Sequence, residues 1–182
     1  FKENNKNILI SILAGVSLKT LETIFPKHNC IRAVTNIPIT IGHGLTGIAW
    51  NHGIDDKDKI FIRNIFKNSG KVFELSEDYL DIFLALTSSA PAIIALIIDA
   101  LGEGGLSGGL TKKLSEELVI DMIFGTVLMM RDLDVSPSEL KNRVTSPAGT
   151  TIAALRILEK KGFRSALIES IIGAMNKSKE FK

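Results

Sequence analysis

The spacing of apolar residues along the chain changes character near residue 76. Before that point short apolar runs alternate with stretches of helical period. NILISILAG is an apolar run that closes on small residues, and CIRAVTNIP repeats the theme after SLKTLETIF. Short, largely apolar runs of this length predict strands buried in a sheet, with a helix in the segment between them. DDKDKIFIRNIFKNSG then sets Ile60, Phe61, Ile65 and Phe66 at helical spacing, behind an acidic start and ahead of a glycine stop. This predicts a second helix, followed by a strand in KVFELSED. The order strand, helix, strand, helix, strand predicts an α/β layer.

From Glu77 to Phe181 strand signals are absent, and the chain reads as helix punctuated by turns. Two domains follow, 1–76 and 77–182. IFLALTSSAPAIIALII, from Ile82 to Ile98, carries no charge but lies between Asp81 and Asp99 and holds TSSAP at its centre. It is just short of a spanning length, so a broken, buried pair of helices is expected and no membrane partner. The glycines of GEGGLSGG match neither GxGxxG nor GxxxxGK[ST], and predict a flexible link between helices rather than a phosphate loop.

TKKLSEELVIDMIFGTVLMMRD predicts a long helix with one apolar stripe at Leu114, Leu118, Met122, Gly125 and Met129. A second stripe runs through Ile120, Ile123, Phe124, Val127 and Met130, and the last helix adds Leu167, Ile171, Ala174 and Met175. A helix apolar on both sides must be covered on both sides. Either these stripes are intramolecular core, or a second copy of the chain covers them; the short helical half favours the second copy, hence a homodimer.

Composition narrows the chemistry. The 182 residues carry a net charge of +2, with 23% charged and 45% hydrophobic residues, as an ordinary globular chain does. The basic residues are scattered, without the basic and aromatic stripe that nucleic acid would require. A single cysteine, Cys30, excludes an internal disulfide and a cysteine-rich metal site. It is read as a buried thiol in a reducing, cytoplasmic setting. His28, His43 and His52 have no zinc-like spacing and are read as solvated loop residues, so no metal is expected. The chain opens on Phe1, and its polar FKENNKN lacks the pattern of a signal peptide; the expectation is a fragment.

The remaining candidate chemistry is VTSPAGTT, residues 144–151, ahead of the helix pattern TIAALRILEKKG. The first turn of a helix has unpaired N–H groups and a positive dipole end, which together favour an anion. Ser146, Thr150 and Thr151 bring hydroxyls there, and Gly149 lets a ligand approach the backbone. The plain alternative is a helix start capped by Ser146 or Thr150.

Taken in order, these segments resemble the pyrroline-5-carboxylate reductase family. ISILAGVSL is similar to the family's strand and Ala-Gly turn, and IRAVTNIPITIGHG to its strand ending in Thr-Asn-Thr-Pro. EDYLDIFLALTSSAPA resembles its Ala-Leu-Ser-Gly-Ser-Gly-Pro-Ala helix start. The most specific piece, LKNRVTSPAGTTIAALRILEKKGFRSALIESIIGA, resembles the family's Val-Thr-Ser-Pro-Gly-Gly-Thr-Thr segment and the two helices after it. Departures fall at Val34, Ile37, Leu84, Thr87, Ser88, Ser89, Ala90, Ile93 and Ala148. No GxGxxG precedes the first strand, so the resemblance implies an α/β plus all-α chain: the C-terminal part of a Rossmann-type dinucleotide-binding domain, then a helical dimerisation domain.

The implied reaction is reduction of 1-pyrroline-5-carboxylate, an imine carboxylate, to L-proline by NADPH or NADH in the last step of proline biosynthesis. The resemblance further implies a homodimer, with assembly of dimers into larger rings, and a substrate site where the dinucleotide domain of one subunit meets the helical domain of the other. It would place the substrate carboxylate on the N–H groups of Gly149 and Thr150 and on the Ser146 hydroxyl, and Thr151 at the ring nitrogen as the catalytic residue. Thr35 and Asn36 would face the nicotinamide half of the cofactor, which would approach the backbone at Ala14 and Gly15. The residues also leave open plainer roles, Asn36 as a turn residue before Pro38 and Ala14-Gly15 as a strand-to-helix turn. The other functional reading is a dimerising or metabolite-binding relative of the reductase without turnover.

Overall fold

The computed structural model describes residues 7–180. The opening FKENNK and Phe181, both read above from sequence, lie outside the described residues. Four strands form one sheet: β1 (Asn7–Ser11), β2 (His28–Thr35), β3 (Gly44–Trp50) and β4 (Gly70–Glu74). Their spatial order is β1-β2-β3-β4, with β1 parallel to β2, β2 antiparallel to β3, and β3 parallel to β4. Two helices cross between the parallel pairs, α1 (Leu18–Ile24) and α2 (Asp56–Lys67). Each starts on a side-chain cap: Ser17 accepts from the N–H of Thr20, and Asp55 from that of Asp58.

The strand β3 is absent from the expectation of three strands, and it makes the sheet mixed rather than parallel. Gly44 and Gly47 interrupt the apolar run that would have marked it. Gly47 is required by packing, because a Cβ there would stand 2.9 Å from a ring carbon of Phe83.

Strand period divides the core between the two faces of the sheet. Cys30, Val34 and Ala49 pack with Leu18, Leu21 and Leu80 on one face. Ile31, Ala33 and Ile48 pack with Ile54 and Ile62 on the other. On α2 the inward residue is therefore Ile62, with Phe66 beside it, while Ile60, Phe61 and Ile65 are exposed. Cys30 is buried, as expected. His28 is not a loop residue; it opens β2, half-buried, with its ring edge-on to Phe25.

Beyond β4 the chain is helical. A turn of 3-10 helix at Glu77–Tyr79 runs into α3 (Leu80–Leu84), five residues of π-helix at Ala85–Ser89, and α4 (Ala90–Ser107). The expected break at TSSAP is thus a π-turn inside one continuous helix, Glu77–Ser107. That helix is long and apolar enough to cross a membrane by length and composition, and little of its apolar surface is buried in the chain. Most of GEGGLSGG is also helical: only Gly108 and Gly109 turn. Gly105 is tolerated in the helix because α5 (Lys112–Asp132) packs there, and a Cβ would stand 2.6 Å from Ser115 Oγ. The chain ends with α6 (Pro137–Arg143), α7 (Thr150–Lys160) and α8 (Phe163–Lys179).

Two compact units emerge. One runs to Pro91 and takes in the chain again from Glu169; the other is Ala92–Ile168. In the second unit the stripes of α5 stay open, with Leu118, Ile120, Met122, Phe124 and Val127 all exposed by half or more of their surface.

Candidate functional site

The first unit gathers its candidates at the carboxyl ends of β1 and β2. These strands are parallel, with Ser11 opposite Arg32, so the residues following both emerge on one edge of the sheet. In open α/β sheets this edge is where ligands bind. Gly15 sits there in a left-handed turn, φ 77°, buried ahead of the Ser17 cap of α1, while Ala14 is exposed. Only a residue without Cβ adopts that φ freely.

Thr35 and Asn36 lie at the end of β2 and are held to the π-turn. Ser88 Oγ donates to the carbonyl of Thr35 at 2.9 Å. Asn36 Nδ2 donates to the carbonyl of Thr87 at 3.1 Å, and Asn36 Oδ1 accepts from the N–H of Leu45 at 2.8 Å. Asn36 is 7% exposed, so its amide joins three segments of the protein. Thr87 in turn donates to the carbonyl of Phe83, one of the carbonyls the helix presents around the π-turn. Single π-turns of this kind concentrate at functional sites. Sequence reasoning about Ser88 and Ser89 treated them as a helix start, and missed that Ser88 anchors the turn to β2.

Beside this edge a cleft of about 190 Å³ is lined by Ala14, Leu84, Ser89, Ala174, Lys177 and Ser178. Behind it lies a buried polar cluster that the sequence did not announce. Arg32, wholly buried on β2, pairs with Glu77 at 3.2 Å and with Asp81 at 3.6 Å. Glu77 also accepts from the N–H of Leu18 at 2.7 Å, and Asp81 accepts from Ser178 Oγ at 3.1 Å. Arg32 shares its face of β2 with Cys30 and Val34, so strand alternation had marked it only as one more inward position.

The second unit carries the hydroxyl cluster. Helix α7 begins at Thr150 on the N-cap Gly149, and no side chain caps it. The alternative of a start capped by Ser146 or Thr150 is therefore not what the structure has. The N–H of Gly149 is taken up inside the turn by the carbonyl of Ser146, at 3.2 Å. This corrects the expectation that Gly149 offers its N–H to a carboxylate. The donors at the helix mouth are instead the N–H groups of Thr150, Thr151 and Ile152, which precede the first intrahelical bond. Ser146 Oγ lies against Gly149 beside this mouth, close enough that a Cβ at Gly149 would fall 2.4 Å away. Ser146 and Thr150 are exposed and Thr151 half-buried. Ala148 takes a left-handed φ of 57° to form the turn. A groove of about 680 Å³ in the same unit is bounded by α6 and α7 through residues such as Lys141, Ile152 and Arg156, apart from these hydroxyls. Among the described residues no group of three or more metal-ligating side chains converges.

Comparison with known proteins bears on both units. Residues 77–181 match the family model described as pyrroline-5-carboxylate reductase dimerisation. The pyrroline-5-carboxylate reductase of Synechocystis sp. is 40% identical over 176 residues, covering 97% of this chain and 66% of that protein. The enzyme of that name from Aquifex aeolicus is 31% identical over 96% of this chain and 66% of its own length. This chain thus spans slightly less than two thirds of those relatives. Among solved structures, the Plasmodium falciparum pyrroline carboxylate reductase with NADP bound superimposes with a TM-score of 0.91 at 31% identity, over 96% of this chain and 71% of that one. The Coxiella burnetii pyrroline-5-carboxylate reductase gives 0.90 at 33% identity, over 99% and 67%. The mixed sheet followed by helices is the architecture these structures share with it, and the chain belongs to the pyrroline-5-carboxylate reductase family.

Proposed function

We propose that this protein reduces 1-pyrroline-5-carboxylate to L-proline with NADPH or NADH, as a homodimer. The observation that carries the reading is the uncapped mouth of α7, where three main-chain donors and the Ser146 hydroxyl converge in a chain of this family. Such a mouth holds a carboxylate without any cationic side chain, because the free N–H groups and the helix dipole act together. Thr150, Thr151 and Ile152 supply the donors, and Ser146 adds a hydrogen bond to the charged oxygen. Gly149, with its own N–H engaged, contributes by having no Cβ, which lets the Ser146 hydroxyl lie against the backbone at the helix mouth.

The residues of the first unit fit the nicotinamide end of a dinucleotide: a buried left-handed glycine at the carboxyl edge of parallel strands lets a ligand lie against backbone, with a cleft beside it. When bound, the reduced nicotinamide supplies the hydride that the imine carbon accepts. Ala14 and Gly15 flank that ring, and Thr35 and Asn36 shape the same edge. Thr151 holds its hydroxyl toward the imine nitrogen and orients the proton that solvent provides, so no histidine or cysteine is needed.

The homodimer follows from the exposed stripes of α4 and α5 in a segment matching a dimerisation domain. A second copy covers the apolar helix Glu77–Ser107, which is why a soluble partner rather than a bilayer accounts for it.

The test is cofactor oxidation by the purified full-length protein in the presence and absence of the cyclic imine. Imine-dependent oxidation with L-proline as product is expected. A folded dimer that binds the imine carboxylate and oxidises no cofactor overturns the reading in favour of a non-catalytic relative.

A further inference from the structure

The last turn of α8 belongs to the compact unit of the sheet, although it lies about 100 residues beyond it in the chain. What fastens it is charge. Ser178 is 3% exposed and donates to Asp81, itself 1% exposed, and Asp81 is held by an Arg32 with no exposure at all. A buried carboxylate is costly unless it is paired and hydrogen-bonded, so this cluster has one low-energy arrangement and holds its members rigidly. Its position is informative. Arg32 sits directly opposite the end of β1, and Ser178, with Ala174 and Lys177, forms one wall of the cleft whose other walls are Ala14, Leu84 and Ser89. Two of those walls are the candidate cofactor turn and the end of the π-turn. The third is the chain's own C-terminal helix. The cleft, at about 190 Å³, is of the size of a single flat ring.

We propose that the last turn of α8 is a wall of the nicotinamide subsite and that Asp81 is a positioning residue, which acts through its bond to Ser178. The inference rests on the proposed use of a reduced nicotinamide dinucleotide. Asp81 touches neither substrate nor cofactor. Held by Arg32, it fixes the distance of Ala174 and Lys177 from the Ala14-Gly15 turn, and so sets the width of the slot for the ring.

The experiment uses the full-length protein and its Ser178→Ala, Ser178→Thr and Asp81→Asn variants. Hydrogen exchange at the amides of residues 176–180 is measured without ligand, and the dissociation constants of NADPH and of its adenosine half, 2′,5′-ADP, are measured by calorimetry. Ser178→Ala is expected to speed exchange in the last turn and to weaken NADPH roughly three- to tenfold, the loss of one charge-assisted bond between buried groups. Affinity for 2′,5′-ADP stays the same, and Ser178→Thr restores both readouts. Asp81→Asn has the same selectivity with a larger effect; if it fails to fold, Ser178→Ala alone decides. Equal weakening of NADPH and 2′,5′-ADP, or wild-type exchange and affinity in Ser178→Ala, overturns the positioning role while leaving the proposed activity intact. A wild-type protein that binds no NADPH or NADH overturns both.

Discussion

The side-chain amide of Asn36 ties the end of β2 to Thr87 in the π-turn through its nitrogen, at 3.1 Å, while its oxygen holds the N–H of Leu45 at 2.8 Å. One side chain thus sets the register of β3 against β2 and the height of the π-turn above the sheet edge. Removing it leaves two part-buried main-chain groups without this partner. Asn36→Ala is expected to lower stability by about 1–3 kcal/mol, at about 0.5–1.5 kcal/mol for each of the two hydrogen bonds lost. Asn36→Asp keeps the acceptor but turns a carboxylate oxygen toward the Thr87 carbonyl in a buried position without a counter-charge, and is expected to lose at least as much. Urea unfolding followed by circular dichroism checks both; a midpoint unchanged in Asn36→Ala refutes the clamp.

Ala148 occupies a left-handed conformation, φ 57°, in the turn before α7. That backbone costs a residue with Cβ about 1 kcal/mol or more, and glycine nothing. Part of the gain is offset by the greater freedom of glycine in the unfolded chain. Ala148→Gly is therefore expected to raise stability by up to about 1 kcal/mol. A fall in the thermal midpoint of this variant contradicts the strain.

The mouth of α7 makes separable predictions for its hydroxyls. Thr151→Ala is expected to leave fold and dimer intact and to lower kcat by roughly ten- to a thousandfold, the range for a lost positioned proton partner. Thr151→Ser retains most activity. Ser146→Ala acts on the KM of the imine carboxylate, by about 1.5–3 kcal/mol for a bond to a charged group. Steady-state kinetics with both alanine variants equal to wild type would show that the mouth is only a helix start.

Phe124 lies on the outer stripe of α5 and is 64% exposed in the single chain. Under the dimer reading it is covered by the partner. Phe124→Asp buries an unpaired charge at that contact, which costs several kcal/mol, about 3–5 where a buried charge loses its partner. Light scattering is expected to show monomer or aggregate where wild type is a dimer. A wild-type protein that stays monomeric at micromolar concentration refutes the dimer itself.

Much of the architecture could be read from local pattern. The apolar runs of β1 and β2, the acidic start of α2 on its Asp55 cap, and the long two-faced α5 are all governed by neighbours within a few residues, where period and capping act. VTSPAGTT announced its helix start for the same reason: proline, glycine and hydroxyls have fixed local preferences. Tertiary contact decided the rest. Strand β3 exists because Gly44 and Gly47 let Phe83 and the turn before it come close, an interaction invisible in a seven-residue window. GEGGLSGG is helical because Ser115 packs where a side chain at Gly105 would be, and that packing outweighs the poor helix propensity of glycine. The exposed side of α2, the engaged N–H of Gly149 and the clamp role of Asn36 likewise depend on which partner each group meets in space. The Arg32, Glu77, Asp81 and Ser178 cluster is the extreme case, since its members are up to 97 residues apart from the helix that carries Asp81 to the end of α8. Local pattern sees hydrophobic period and backbone preference; it cannot see a buried charge find its counter-charge, because that pairing has no period and is selected only once the chain has closed on itself.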